Sequence, residues 1–275
     1  MYPLQSGLGT IANSKIFKFL DGNRAGDILA DCGSYSLVVP QDDYVGRSIK
    51  YFGDLDRKVT WLVQKVLQPG DTAIDIGANL GLMSFKMLER VGTSGKVIAF
   101  EPQSRMIGYL QQSINHNGIE NLYLQKMGLA DKIDRLRLSI PEHNAGAASF
   151  SSETGRRFED VPVTTLDEFS RGHNLNDVRL IKIDVEGFEP QVFSGGKEFF
   201  AKVKPDVIVF EENRDTKYTP ESISIIEAYG YDVFSLPKTW FSVALHPYED
   251  GSQAHDFVAI HKTAPNALRR NLGLK

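Results

Sequence analysis

The sequence predicts an α/β fold, a mostly parallel sheet with helices on both faces, and three observations predict it. From Asp71 onward, short β-branched runs alternate with longer segments that carry apolar residues every three or four positions. The first such unit breaks between its strand and its helix into "GANLG", a glycine turn leading into the helix. The last two strand-like runs are joined by a loop rich in Pro, Trp, His and Asp with no helical pattern, which makes them an antiparallel pair at one edge.

The elements follow in chain order. Residues 1–68 form an N-terminal extension in which "SLVVP" reads as a strand and residues 58–66 as an amphipathic helix running into Pro69-Gly70. No Ser/Gly linker follows it, so the extension is expected to pack on the main domain, residues 69–263. In that domain, strands are expected at 72–76, 96–101, 122–126, 179–184, 206–211, 232–236 and 257–261. Helices are expected at 82–90, 104–115, 190–201 and 220–228. Residues 130–177 are an insertion whose alternating "RLRLSI" and "VPVTTL" predict a small β excursion, a flap placed to cover a pocket. Residues 264–275, with three basic side chains in "NALRRNLGLK", read as a C-terminal tail.

Composition narrows the function. The chain has 275 residues, 41% of them hydrophobic, enough for one sizeable core. Its 31 basic and 35 acidic residues give a net charge of −4 with no block of like charge, so no nucleic-acid partner is expected. A single cysteine, Cys32, excludes an internal disulfide and a cysteine-based zinc site. "MYPLQSG" lacks the features of a secretory signal, and no apolar run reaches the ~18 residues of a membrane span. The expectation is a soluble, cytoplasmic protein that acts on a small molecule; a homo-oligomer stays open.

The glycine turn selects among cofactors. A dinucleotide loop aligned on Gly77 asks for glycine at positions 79 and 82, where this chain has Asn79 and Leu82. The general feature of such sites is present: Glu101 ends the second strand, at a separation from Gly77 that suits two carboxylate oxygens accepting from a ribose diol.

"AIDIGANLG" followed by "VIAFEP" resembles the class I S-adenosylmethionine-dependent methyltransferases. Together with "SLVVPQDDYVGRSIKYFGDLD", "VPVTTLDEF" and, most specifically, "IKIDVEGFEPQVFSGG", the resemblance narrows to the FkbM family of methyltransferases, from about Ser36 to Phe210. It implies a Rossmann-like seven-stranded sheet with an antiparallel last strand and S-adenosyl-L-methionine as cofactor. It also implies that Asp75, Gly77 and Gly81 face the amino-acid half of the cofactor, that Asn79 holds the loop, and that Glu101 takes the ribose hydroxyls. Met127, Gly128 and Leu129 would lie near the adenine, and Asp184 near the methyl-bearing sulfur. "YFGDLD" is either a pocket wall or local packing of the extension. The resemblance points to a hydroxyl oxygen, on a sugar or polyketide-like metabolite, as acceptor.

Ligands of open α/β sheets lie beyond the carboxyl ends of the strands, which places Asp75, Glu101, Asp184 and Glu211 on one rim. An alcohol acceptor needs a general base. Asp184 and Glu211 are the carboxylate candidates, and His143 in the insertion and His255 before the last strand are the imidazole candidates. Glu186 is expected either to act beside Asp184 or to accept backbone amides at the start of the next helix. A divalent metal on Asp184, Glu211 and Glu212 is possible but not favoured, so no metal ligand is assigned. The competing readings are an NAD-dependent oxidoreductase on a similar sheet and a non-catalytic cofactor-binding scaffold.

Overall fold

The main sheet has eight strands, one more than expected. In the computed structural model, which describes residues 7–20, 24–141, 145–150, 157–212, 221–239, 242–250, 252 and 254–274, the extension comes first. It comprises helices α1 (Leu8–Ala12) and α2 (Lys15–Leu20), a hairpin of β1 (Asp27–Asp31) and β2 (Ser36–Pro40), and helices α3 (Tyr44–Phe52) and α4 (Arg57–Val66). Asp43 caps α3 by accepting from Val45 and Gly46 N–H, and Asp56 caps α4 by accepting from Lys58 N–H.

The core then runs β3 (Thr72–Ile76), α5 (Leu82–Val91), β4 (Lys96–Phe100), α6 (Ser104–His116) and β5 (Leu122–Gln125). The insertion supplies β6 (Gly128–Leu129), β7 (Asp134–Ile140), β8 (Arg157–Thr164) and α7 (Leu166–His173). After it come β9 (Leu180–Ile183), α8 (Glu189–Ser194), α9 (Lys197–Lys202), β10 (Val207–Glu211), α10 (Glu221–Ala228), β11 (Tyr231–Leu236), β12 (His246–Pro247), β13 (Asp256–His261) and α11 (Asn266–Asn271). The sheet order is β12-β11-β13-β10-β9-β3-β4-β5, with β3, β4, β5, β9 and β10 parallel and β13 antiparallel to both its neighbours. Among the described residues, no helix is long and apolar enough to cross a membrane.

Successive strand residues enter opposite cores. Ala73, Val97, Leu180 and Val207 belong to one apolar cluster, with Phe85, Met106 and Leu110 of α5 and α6. Ile74, Ile98, Ile181 and Ile208 belong to the other, with Phe169, Phe193 and Phe199 of α7 to α9. Burial on both faces explains why these strands read as continuous apolar runs.

Three details add to or differ from expectation. The antiparallel pair forms at one end of the sheet as expected, with β13 on its inner side between β10 and β11, and the extra strand β12 adds a two-residue pairing beyond β11. The helix expected at 190–201 is two helices, with Gly195 ending the first and Gly196 preceding the second, and Gly195 passes so close to the insertion that a Cβ would lie 2.0 Å from the Ala130 carbonyl oxygen. The insertion's β structure begins earlier, with β6 pairing alongside β8 in a three-stranded sheet ordered β6-β8-β7.

Candidate active site

The chain goes from β3 outward to β4 and β5, then returns to lay β9 on the other side of β3. The crevice at that switch point is where the turn after β3 lies. Gly77 and Ala78 N–H both donate to Phe100 O, at 3.0 and 2.9 Å. Gly77 has φ +79°, and a Cβ there would lie 1.9 Å from the Asp184 carbonyl oxygen. At Gly81, with φ +87°, a Cβ would lie 2.3 Å from Leu110 Cδ1. A backbone carbonyl therefore demands glycine at 77, while at 81 the left-handed backbone is what favours it.

Glu101 fastens this turn. Its Oε2 accepts from Asn79 N–H at 2.7 Å and its Oε1 from Gln103 N–H at 2.8 Å. It is 6% exposed, and burial pushes its carboxyl up to about 7 against those two amides and Lys182. Each oxygen keeps lone-pair capacity for a further donor. Asn79 itself has φ +52°, lines the cavity below, and carries a buried Oδ1 with no hydrogen-bond partner.

Beneath the turn lies a charge centre the sequence reading missed. Lys182 Nζ donates to Gly77 O at 2.9 Å and stands 3.4 Å from Asp75 Oδ1 and 3.3 Å from Asp184 Oδ2. Burial works against the ammonium, but Asp184 and Asp75 outweigh it and hold its pKa above the usual lysine value. Asp75 is fully buried, accepts from Ser84 Oγ at 2.6 Å, and stands behind the cavity wall. A lysine inside "LIKI" was the available signal, since a cation on a buried strand must find carboxylates.

One cavity of about 440 Å³ joins the two ends of the site. Gly77, Asn79 and Glu101 line one end, and Asp184, Glu186, Glu211 and Asp256 the other. Tyr44, Leu55 and Asp56 of the extension and Phe150 of the insertion close it, so part of "YFGDLD" is pocket wall. Met127, Gly128, Leu129 and Gly81 do not line it; Gly128 and Leu129 pair with Val163 and Thr164. His255 does not line it either, and its carbonyl accepts from Glu212 N–H at 2.8 Å. His143 lies outside the described residues.

The acidic end is tuned by burial. Burial and the neighbouring Asp184 push Glu186 up to about 7, against Lys182. Burial, then Asp184, Asp256 and Glu186, push Glu211 up to about 8, against Lys238. Carboxyls that titrate near neutrality suit proton transfer. Glu186 does not accept a backbone amide from the next helix as the alternative reading held. Glu189, the first residue of that helix, instead accepts from Val185 N–H in the preceding turn at 3.0 Å, while the Glu186 carbonyl accepts from Ser149 Oγ. Among the described residues, no group of three or more His, Cys, Asp or Glu could hold a metal ion.

Glu189 carries a pH prediction. Burial raises its carboxyl from 4.5 to about 8, so the folded chain keeps a proton there that the unfolded chain releases. Its stabilising contribution is complete below pH 4.5 and is lost as pH rises through about 8. Thermal melts from pH 6 to 9 should show Glu189→Gln losing less stability than the parent; parallel curves would show that the carboxyl ionises normally.

A doubly wound sheet with β13 antiparallel between β10 and β11, a glycine turn after β3 and a carboxylate after β4 is the arrangement that the resemblance to class I methyltransferases implies. The sequence matches the Methyltransferase FkbM domain over residues 75–233, and the chain belongs to that family. No curated protein sequence matches it. It is similar to the precorrin-6y C5,15-methyltransferase of Geobacter metallireducens (16% identity, 75% of this chain and 88% of that one, TM-score 0.44). It is also similar to an S-adenosylmethionine-dependent O-methyltransferase of Thermotoga maritima (14%, 76% and 66%, TM-score 0.43). Aeropyrum pernix fibrillarin, with natively bound S-adenosylmethionine, is a third (14%, 74% and 73%, TM-score 0.44).

Proposed function

We propose that the chain transfers the methyl group of S-adenosylmethionine to a hydroxyl oxygen of a small molecule, a sugar or polyketide-like metabolite. The observation that carries this is the single cavity holding Asn79 and Glu101 at one end and titratable carboxyls at the other. The residues fit the cofactor: Asn79 Oδ1 is an unpartnered buried acceptor, and Glu101 has lone pairs left for two hydroxyls. When bound, the cofactor supplies an electrophilic methyl on a sulfonium. Asp184, held by its ion pair with Lys182, would stand toward that positive charge. Glu211 would take the acceptor's hydroxyl proton, leaving the oxygen free to receive the methyl group. The same reading places the enzyme in the cytoplasm with no nucleic-acid partner and no resident metal.

The test is transfer from methyl-labelled S-adenosylmethionine to a panel of sugar and polyketide hydroxyls, with amines as controls and product masses as readout. Label on amines alone would replace the oxygen acceptor, and no label anywhere would favour a scaffold. In titration calorimetry, Glu101→Ala is expected to weaken cofactor binding by about 1.5–3 kcal/mol. Unchanged affinity would remove Glu101 from the cofactor contacts.

A further inference from the structure

The extension closes the acidic end of the cavity, and one lysine fastens it there. Lys58, at the start of α4, is 1% exposed. Its Nζ lies 3.1 Å from Asp56 Oδ2 and donates to Asp256 Oδ2 at the start of β13. Asp56 and Asp256 both line the cavity, and Asp256 is the cross-strand partner of Glu211. A buried ammonium is costly unless paired, and here the pairing carboxylates come from two distant parts of the chain. Asp56 and Lys58 precede the segment 75–233 that the family model matches, and Asp256 follows it.

We propose that Lys58 is a positioning residue for the acceptor, holding the start of α4 against β13 so that Asp56 and Asp256 stand as one wall beside Glu211. This rests on the methyl-transfer reading of the cavity. Other groups facing Glu211 are Asp184 and Glu186 beyond β9 and Lys238 beyond β11. Those facing Asp256 are Lys58, Asp56 and Asp184, with Glu211 across the strand pair. Burial already pushes Asp256 up to about 6 against the pull of Lys58. Removing that cation leaves Asp256 among the carboxyls of Asp56, Asp184 and Glu211 alone, so it holds its proton to higher pH.

The experiment compares Lys58→Met with Lys58→Arg, using methyl-labelled S-adenosylmethionine and the hydroxyl panel as probes. Lys58→Met should keep cofactor Kd within about twofold and raise acceptor KM by about tenfold or more, with a smaller change in kcat. Lys58→Arg should recover most of the loss. The carboxyl-carbon NMR titration of Asp256 should move up by about one pH unit or more in Lys58→Met and return in Lys58→Arg. An unmoved Asp256 titration, or an unchanged acceptor KM, overturns the proposal. If Lys58→Met does not fold, the double variant Lys58→Met/Asp256→Asn leaves Asp256's position uncharged, and its acceptor KM decides in the same way. Absence of transfer by the parent protein counts against the methyl-transfer reading, and the Asp256 titration then still decides whether Lys58 makes the latch.

Discussion

Glu211→Gln is expected to slow methyl transfer by about 10²–10⁴-fold while cofactor affinity stays within about twofold. The amide keeps the size of the side chain and removes its ability to take a proton. Glu211 ends β10 on the cavity wall, and its neighbours Asp184, Asp256 and Glu186 add to burial in holding its carboxyl near pH 8. The base form grows as pH rises, so the parent rate should climb through about 8 and Glu211→Gln should lose that climb. Single-turnover rates across pH 6 to 9 test this. A parent profile retained in the variant would move the base elsewhere. Asp184→Asn provides the contrast: its carboxylate pairs with Lys182 under the turn, so it should lower turnover more than affinity only if it acts on the acceptor. Equal losses would place it among the cofactor contacts.

Lys182→Met should destabilise the fold by about 3–5 kcal/mol, because it strands the buried carboxylate of Asp75 without its cation. The methionine fits the lysine's apolar stem but cannot donate to Gly77 O, which loses its 2.9 Å bond. Urea midpoints with unchanged slopes would report the loss, and adding Asp75→Asn should recover part of it. A shift under about 1 kcal/mol would show that Asp75 does not need the lysine.

Much of the fold is legible in the sequence because its strands are buried on both faces. Runs such as "TAIDI" and "VIVF" carry a local signal that needs no partner to be recognised. The turn at Gly77 and the carboxylate at Glu101 are legible for the same reason: each sits at a boundary the pattern marks. What is not legible depends on residues far apart in the chain. Lys58 and Asp256 are 198 positions apart, and neither has a local feature that names the other. Gly195 must be glycine because Ala130 lies against it, and the "YFGDLD" segment borders the cavity where Lys58 ties the start of α4 to Asp256. Glu101 is partly legible: its position implies a ligand, while its grip on Asn79 and Gln103 amides appears only in three dimensions.

The position of β13 has a consequence for the order of assembly. It is the last strand of the sheet in the chain, yet it lies between β10 and β11, and β11 otherwise pairs only with the two residues of β12. On a ribosome, β3, β4, β5, β9 and β10 can form a parallel platform while β11 waits outside it. Insertion of β13 recruits β11, brings Asp256 opposite Glu211, and gives Lys58 its second carboxylate. Asp184, Glu186 and Glu211 are thus in place at the ends of β9 and β10 before Asp256 joins them, so the wall that ties the extension to the sheet is the last part of the cavity to be completed.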